Sequence, residues 1–260
     1  MEGGFEETVM KIYRFVLALV LLLAVFASPA AAEEGNAAVA RQATRAADTS
    51  LTMDERIQAV QTLGRSGEGR AAAPLLGILK DPSEEPGLRA CAARALAKLD
   101  TARPEVLAAL ESAYRETAAE DNLRYTVLQT LGDLKALEAL ALLQEALEDP
   151  DDTVRFKAAQ ALGELNDPEA VKLLMGRYDQ EPDKTVRAEI IRTLGRLRDP
   201  ALEPFLAGAL LKDEEALVRW NVALMLQGYD ELGPEAREAL AVAARDPSPM
   251  VRQAASGGAP

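Results

Sequence analysis

From residue 51 to residue 256 the apolar positions of this chain follow two nested periods. The shorter one sets apolar residues three and four apart, as in Val154, Ala158, Ala161 and Leu162, which is the spacing of one face of a helix. The longer one repeats the whole segment. Arg56, Arg89, Arg124, Arg155, Arg187, Arg219 and Arg252 each stand near its start, at intervals of 33, 35, 31, 32, 32 and 33 residues. Leucine falls seven residues after the arginine in six copies, and glycine falls eight after it in four of them, at Gly64, Gly132, Gly163 and Gly195. A seventh copy begins at Val251-Arg252 and stops. Self-similarity at this period belongs to architectures in which each unit buries its apolar face only against its neighbours.

Each period has room for two helices. Asp167-Pro168 precedes the segment from Glu169 to Tyr178, and Asp199-Pro200 repeats the device one unit later. Aspartate caps a helix start and proline is tolerated in the first turn. Pro74, Pro104 and Pro234 stand near other starts. The arginine-bearing segment is itself preceded by Asp81-Pro82, Asp149-Pro150, Glu181-Pro182 or Asp246-Pro247. Hydrophobic residues make up 48% of the chain and aromatics only 4%, so alanine and leucine carry the core, which favours close helix packing over sheet. The expected fold is all-α, an α–α superhelix of six to seven two-helix repeats over residues 51–260 with the last repeat truncated. A linker and first capping helix are expected over residues 33–50.

The run Val154-Arg155-x-x-Ala158-x-x-Ala161-Leu162-Gly163 and its counterparts, with Asp149 six residues before Arg155, resemble the HEAT repeat family. The likeness is to the short form also called the phycobilin-lyase HEAT-like repeat. Asp213 and Asp246 stand at the same offset from Arg219 and Arg252. The resemblance implies an Asp–Arg ladder linking neighbouring repeats. Here Glu181 takes the aspartate's place before Arg187, while Ser50, Ser83 and Ala118 take it before Arg56, Arg89 and Arg124. The first half therefore lacks the ladder's acid at that offset. The resemblance covers nearly all of the chain after residue 50 and speaks to fold more than to function.

On the second helix of each unit, taken at about 100° per residue, the residue before the arginine and those three and seven after it form one core stripe. Positions one and five after the arginine fall roughly 160° away. The resemblance implies that second helices line a concave surface, so these positions form an inner ridge. Its members are Ile57 and Gln61, Ala90 and Arg94, Tyr125 and Gln129, Phe156 and Gln160, Ala188 and Arg192, and Trp220 and Leu224. Aromatics interleaved with amides and arginines suit a protein-binding surface. Tyr125, Phe156 and Trp220 are the candidate anchors for a protein or peptide partner, with Gln129, Gln160 and Arg192 as polar contacts. The competing reading is that each ring packs onto an adjacent helix.

Charge and chemistry narrow the function. The net charge of −13 speaks against nucleic-acid partners and anionic lipid. The chain has no histidine, so the commonest general base and metal ligand is absent. Its single cysteine, Cys91, reads as a small packing residue. The acidic groups Asp151-Asp152, Asp213-Glu214-Glu215 and Glu84-Glu85 sit in turns before helices, where carboxylates stabilise the positive helix end. They lack the convergence of a catalytic pair and the spacing of a calcium loop. No catalytic residue, metal site or cofactor is expected. The reading is a non-catalytic protein-binding scaffold or adaptor. The alternative is an enzyme or chromophore-handling protein of the lyase lineage. Within the wider resemblance, deoxyhypusine hydroxylases use paired His-Glu motifs for iron, which this sequence cannot supply. DNA alkylation-repair glycosylases need a basic groove.

The N-terminus reads as an address. Lys11 and Arg14 precede an apolar run from Phe15 to Ala27, followed by Ser28-Pro29-Ala30-Ala31-Ala32. That order is a secretory signal peptide over residues 1–32, with cleavage expected after Ala32. The run is shorter than the roughly 20 residues a membrane span needs. A periplasmic or secreted protein without membrane insertion after cleavage is expected, and an uncleaved anchor is the alternative. Glu2, Glu6 and Glu7 do not suit a signal start, and Met10 is the better candidate initiator.

Overall fold

The structure, a computed structural model, describes residues 29–99, 103–116 and 122–257, and it describes side chains from residue 33. All regular structure among these residues is helical. Seven pairs follow one another: α1 (Pro29–Ala47) with α2 (Met53–Arg65), α3 (Ala72–Lys80) with α4 (Pro86–Leu96), and α5 (Arg103–Glu116) with α6 (Asn122–Asp133). Then come α7 (Leu140–Leu147) with α8 (Asp152–Leu165), and α9 (Pro168–Tyr178) with α10 (Lys184–Arg196). The last are α11 (Glu203–Lys212) with α12 (Ala216–Gln227), and α13 (Pro234–Ala243) with α14 (Pro249–Ala255). The basic and apolar parts of the expected signal segment, and Met10, lie outside the described residues. Residues 29–32 form the start of α1, whose Val39 and Ala46 are buried against its neighbours. No described helix is long and apolar enough to cross a membrane.

The helix starts lie where local chemistry puts them. Asp167 accepts from the Glu169 and Ala170 amides at 2.8 and 3.4 Å, with Pro168 in the first turn. Thr52 and Glu55 form a reciprocal capping box on α2. Asp151 and Asp183 cap α8 and α10, whereas Glu85 and Glu215 make no side-chain cap on α4 and α12. The stops are also regular. Eleven residues after the repeat arginine the backbone turns left-handed, at Gly67, Lys135, Asn166 and Arg198, with φ of 65°, 48°, 50° and 49°. A left-handed residue after the last turn ends a helix and turns the chain back.

Inner helices α2, α4, α6, α8, α10, α12 and α14 stack consecutively, and each packs on the outer helix of its own pair. The stripe expected for the core is the core: Leu88, Ala92, Leu96, Leu123, Val127, Val154, Ala158, Val186, Ile190, Val218 and Val222 are all fully buried. The recurring glycine lets the inner helices approach closely. A Cβ on Gly64 would lie 2.8 Å from the Cα of Ala95 on the next inner helix, and one on Gly132 would lie 2.9 Å from the Cα of Ala161. The outer helices are less evenly joined. Between α9 and α11 a cleft of about 720 Å³ opens, and the rings of Tyr178 and Phe205 meet edge-on there at 5.3 Å. The inner helices thus form an unbroken row, whereas the outer helices meet closely at some joints and barely at others.

The repeat arginines join the units. Arg155 gives Nε and Nη2 to the two carboxylate oxygens of Glu181 at 2.9 and 2.8 Å, one unit on. Arg187 and Arg219 do the same to Asp213 and Asp246, with Nε contacts at 3.0 and 2.7 Å, and Arg124 reaches Asp149 at 2.6 Å. Each of Arg155, Arg187 and Arg219 also donates Nη1 to two carbonyls of the turn before its own helix. In the first half the ladder is improvised. Glu84, one residue past the expected offset, meets Arg56 at 2.5 Å, and Glu116 lies 3.7 Å from Arg89. Glu84, expected only to stabilise a helix end, is therefore a ladder acid, and Asp213 stands in the ladder where the resemblance implied it.

Candidate functional site

The inner helices, which the family resemblance places on the concave side, build one wall, and its two open rows lie five and nine residues after each repeat arginine. These positions share a face because they are one turn apart, at about 140° and 180° on the helix wheel. The first row holds Gln61, Arg94 and Gln129, which are exposed, and Gln160, Arg192 and Leu224, which are half-buried. The second holds Arg65, Lys98, Asp133, Glu164 and Arg196, all exposed. The sequence reading stopped at the first row. The same spacing, continued by one turn, finds the second.

The position one after the arginine differs from expectation. Ile57, Tyr125, Phe156 and Trp220 are half-buried and packed against the core, and Ala90 and Ala188 are buried. Opposition to the core stripe holds for an isolated helix. Here the next inner helix is close enough to cover that flank. Tyr125 shows the result, since its hydroxyl donates to Asp151 Oδ2 at 2.9 Å at the start of the next inner helix. The six candidate residues thus stand on the stacked inner helices, with Gln129 exposed, Gln160 and Arg192 half-buried, and the three rings forming a shoulder packed against the core.

Several of these groups are already engaged. Lys157 Nζ lies 5.8 Å from the Phe156 ring centroid and donates to Gln160 Oε1 at 3.3 Å. Arg192 donates Nε to Glu189 Oε2 at 2.8 Å. Glu189 is buried, and its other carboxylate oxygen has no hydrogen-bond partner. Asp133 is held above the usual carboxylate range by partial burial and by the neighbouring charge of Glu164. A smaller hollow of about 300 Å³ lies nearer the N-terminus, between α2, α4 and α6, and is lined by Gln61, Arg65, Cys91, Arg94, Lys98 and Asp133 among others. Cys91 is buried in its wall and accepts from Arg94 Nη2 at 3.3 Å. Among the described residues no group of three or more histidine, cysteine, aspartate or glutamate side chains is arranged to hold a metal ion.

A curved row of antiparallel helix pairs with an inner wall of this kind defines an α-solenoid. The HEAT-repeat profile matches residues 38–121, 116–189 and 177–257. The chain belongs to the HEAT-repeat family. No curated protein is similar enough in sequence to count as a relative. Among solved structures, human deoxyhypusine hydroxylase with glycerol bound is 22% identical, over 88% of this chain and 97% of its own, with a TM-score of 0.40. One chain from the two-chain phycocyanin lyase complex of Nostoc is 23% identical, over 80% of this chain and 81% of its own, with a TM-score of 0.43. A designed armadillo repeat protein is 16% identical, over 83% and 96%, with a TM-score of 0.34. Likeness at this level carries no argument about activity.

Proposed function

We propose that this protein is a non-catalytic scaffold of the cell envelope that binds a protein or peptide along its concave wall. The observation that carries this reading is the continuous double row of polar and charged side chains across α2, α4, α6, α8 and α10, with aromatic rings along its shoulder. A long shallow surface of this type gives many weak, spaced contacts, and stacked repeats are suited to presenting one. The buried carboxylates support a structural role. Glu181 is held by Arg155 and Arg177, Asp213 by Arg187 and Tyr178, and Glu203 by the Gly233 amide. Placement in the envelope rests on the order of residues 11–32, with mature protein starting at Glu33.

The test is capture from envelope extracts by the purified protein and by variants on each side of the curve. Gln129→Arg on the open row and Trp220→Ala on the shoulder should both remove the proteins captured by the wild type. Lys172→Ala, on an exposed position of outer helix α9, should leave them in place. Trp220 is half-buried, so its loss should also lower stability by about 1.5 kcal/mol. Capture that survives both inner-wall variants but depends on Lys172 would overturn the reading. Amino-terminal sequencing of the exported chain should begin at Glu33.

A further inference from the structure

The concave wall is unevenly charged, and the unevenness lies at one end. Of the cations on its two open rows and beside them, Lys157 is occupied by Phe156 and Gln160 and Arg192 by Glu189, while Arg196 on α10 has no ion pair among the described residues but lies away from the hollow. Arg65, Arg94 and Lys98 are different. Arg65 reaches Thr62 at 3.3 Å and Arg94 reaches Cys91 at 3.3 Å, both neutral acceptors. None of the three forms an ion pair with a carboxylate among the described residues, whereas the ladder arginines one layer beneath them do. All three are exposed and line the one hollow of about 300 Å³ between α2, α4 and α6. In a chain with a net charge of −13, three neighbouring uncommitted cations on a concave face form a local attractor for negative charge.

We infer that this hollow receives a short acidic segment of the partner, an extended peptide whose carboxylates meet Arg65, Arg94 and Lys98. The inference rests on the concave wall being the binding face. Geometry favours a peptide over a compact anion. The cations come from α2, from α4 and from the turn that ends α4, and packed helices stand about 8–10 Å apart. An extended chain crossing them rises about 3.3 Å per residue, so side chains about three residues apart meet successive helices. Geometry also disfavours a nucleic-acid strand. Asp133 bounds the hollow and Glu164 follows it along the same row, so a phosphodiester backbone following the wall meets repulsion after α4.

Fluorescence anisotropy with three labelled probes tests this on the full chain. The probes are a Gly/Ser peptide with glutamate at every third position, its glutamine counterpart, and an oligothymidylate of similar length. The glutamate peptide should bind about tenfold more tightly than the glutamine peptide at low salt, the sum of a few exposed ion pairs. The preference should shrink near physiological salt. Arg94→Glu combined with Lys98→Glu should abolish it. Arg65→Glu should do so separately from α2, so that failure of one variant to fold leaves the other informative. Lys172→Ala, exposed on outer helix α9, should not change it. Equal binding of the two peptides, tighter binding of the oligonucleotide, or an unchanged preference in both charge-reversed proteins would overturn the inference. Charge-blind peptide binding together with extract capture that still depends on Gln129 would sink the acidic segment alone. Capture independent of the inner wall would sink the broader reading as well.

Discussion

Glu181 receives more donors than any other carboxylate described in this protein. It accepts from Arg155, from Arg177 and from the Asp183 amide, and its side chain is fully buried. Burial alone would raise its pKa. The bonds from Arg155, Asp183 and Arg177 outweigh burial and hold it below the ordinary carboxylate range. Asp246 is depressed too, chiefly by its bond from Arg219. Groups whose folded pKa is lowered contribute stability above their unfolded value of about 4, and lose it as pH falls toward the folded value. The thermal midpoint should therefore stay flat from neutrality to about pH 5 and fall below about pH 4, with a shallower fall in Glu181→Gln. A midpoint unchanged down to about pH 3 would contradict this. Glu181→Ala strands the buried Arg155 and the half-buried Arg177 and should cost about 3 kcal/mol, read from urea unfolding. Backbone gives a prediction of opposite sign. Lys135 and Arg198 hold the left-handed conformation that Gly67 adopts freely, so Lys135→Gly should raise stability by about 0.5–1 kcal/mol.

The inner helix is where the sequence was most legible, and also where it misled. Its core stripe, its proline-marked neighbours and its arginine could be read directly, because 3.6-residue periodicity and capping act within one element. The glycine eight after the arginine was visible as a pattern but not as a cause. Its role belongs to the contact between two helices, where Ala95 and Ala161 press on Gly64 and Gly132. Gly132→Ala should accordingly destabilise by about 1–3 kcal/mol. Gly77→Ala on α3, where a Cβ meets nothing within 4 Å, should stabilise by up to about 1 kcal/mol. Urea midpoints of the two variants moving in the same direction would refute the distinction. The same helix-to-helix contact explains why Tyr125, Phe156 and Trp220 sit on a shoulder and not in the open. A helix wheel describes one helix and omits the neighbour that covers its flank. Glu84 escaped notice as a ladder acid because a turn of different length returned its carboxylate to Arg56 from one residue further along.

At the scale of the whole molecule the solenoid is a line of units coupled mainly to their nearest neighbours, so its joints need not be equal. Those after α8, α10 and α12 have two-pronged carboxylate–arginine links. The joint after α4 has Arg89, whose Nη2 is buried without a hydrogen-bond partner and whose nearest acid, Glu116, is 3.7 Å away and half exposed. Amide exchange should reflect that order, with α1 to α4 releasing their protons before α8 to α12. Uniform protection along the row would argue against unequal joints. A load applied to the two ends would meet its softest point between α4 and α6. The arc then works like a jaw with its pivot there, and the distance from Arg94 to Gln129 becomes the first gap to widen or narrow as it grips.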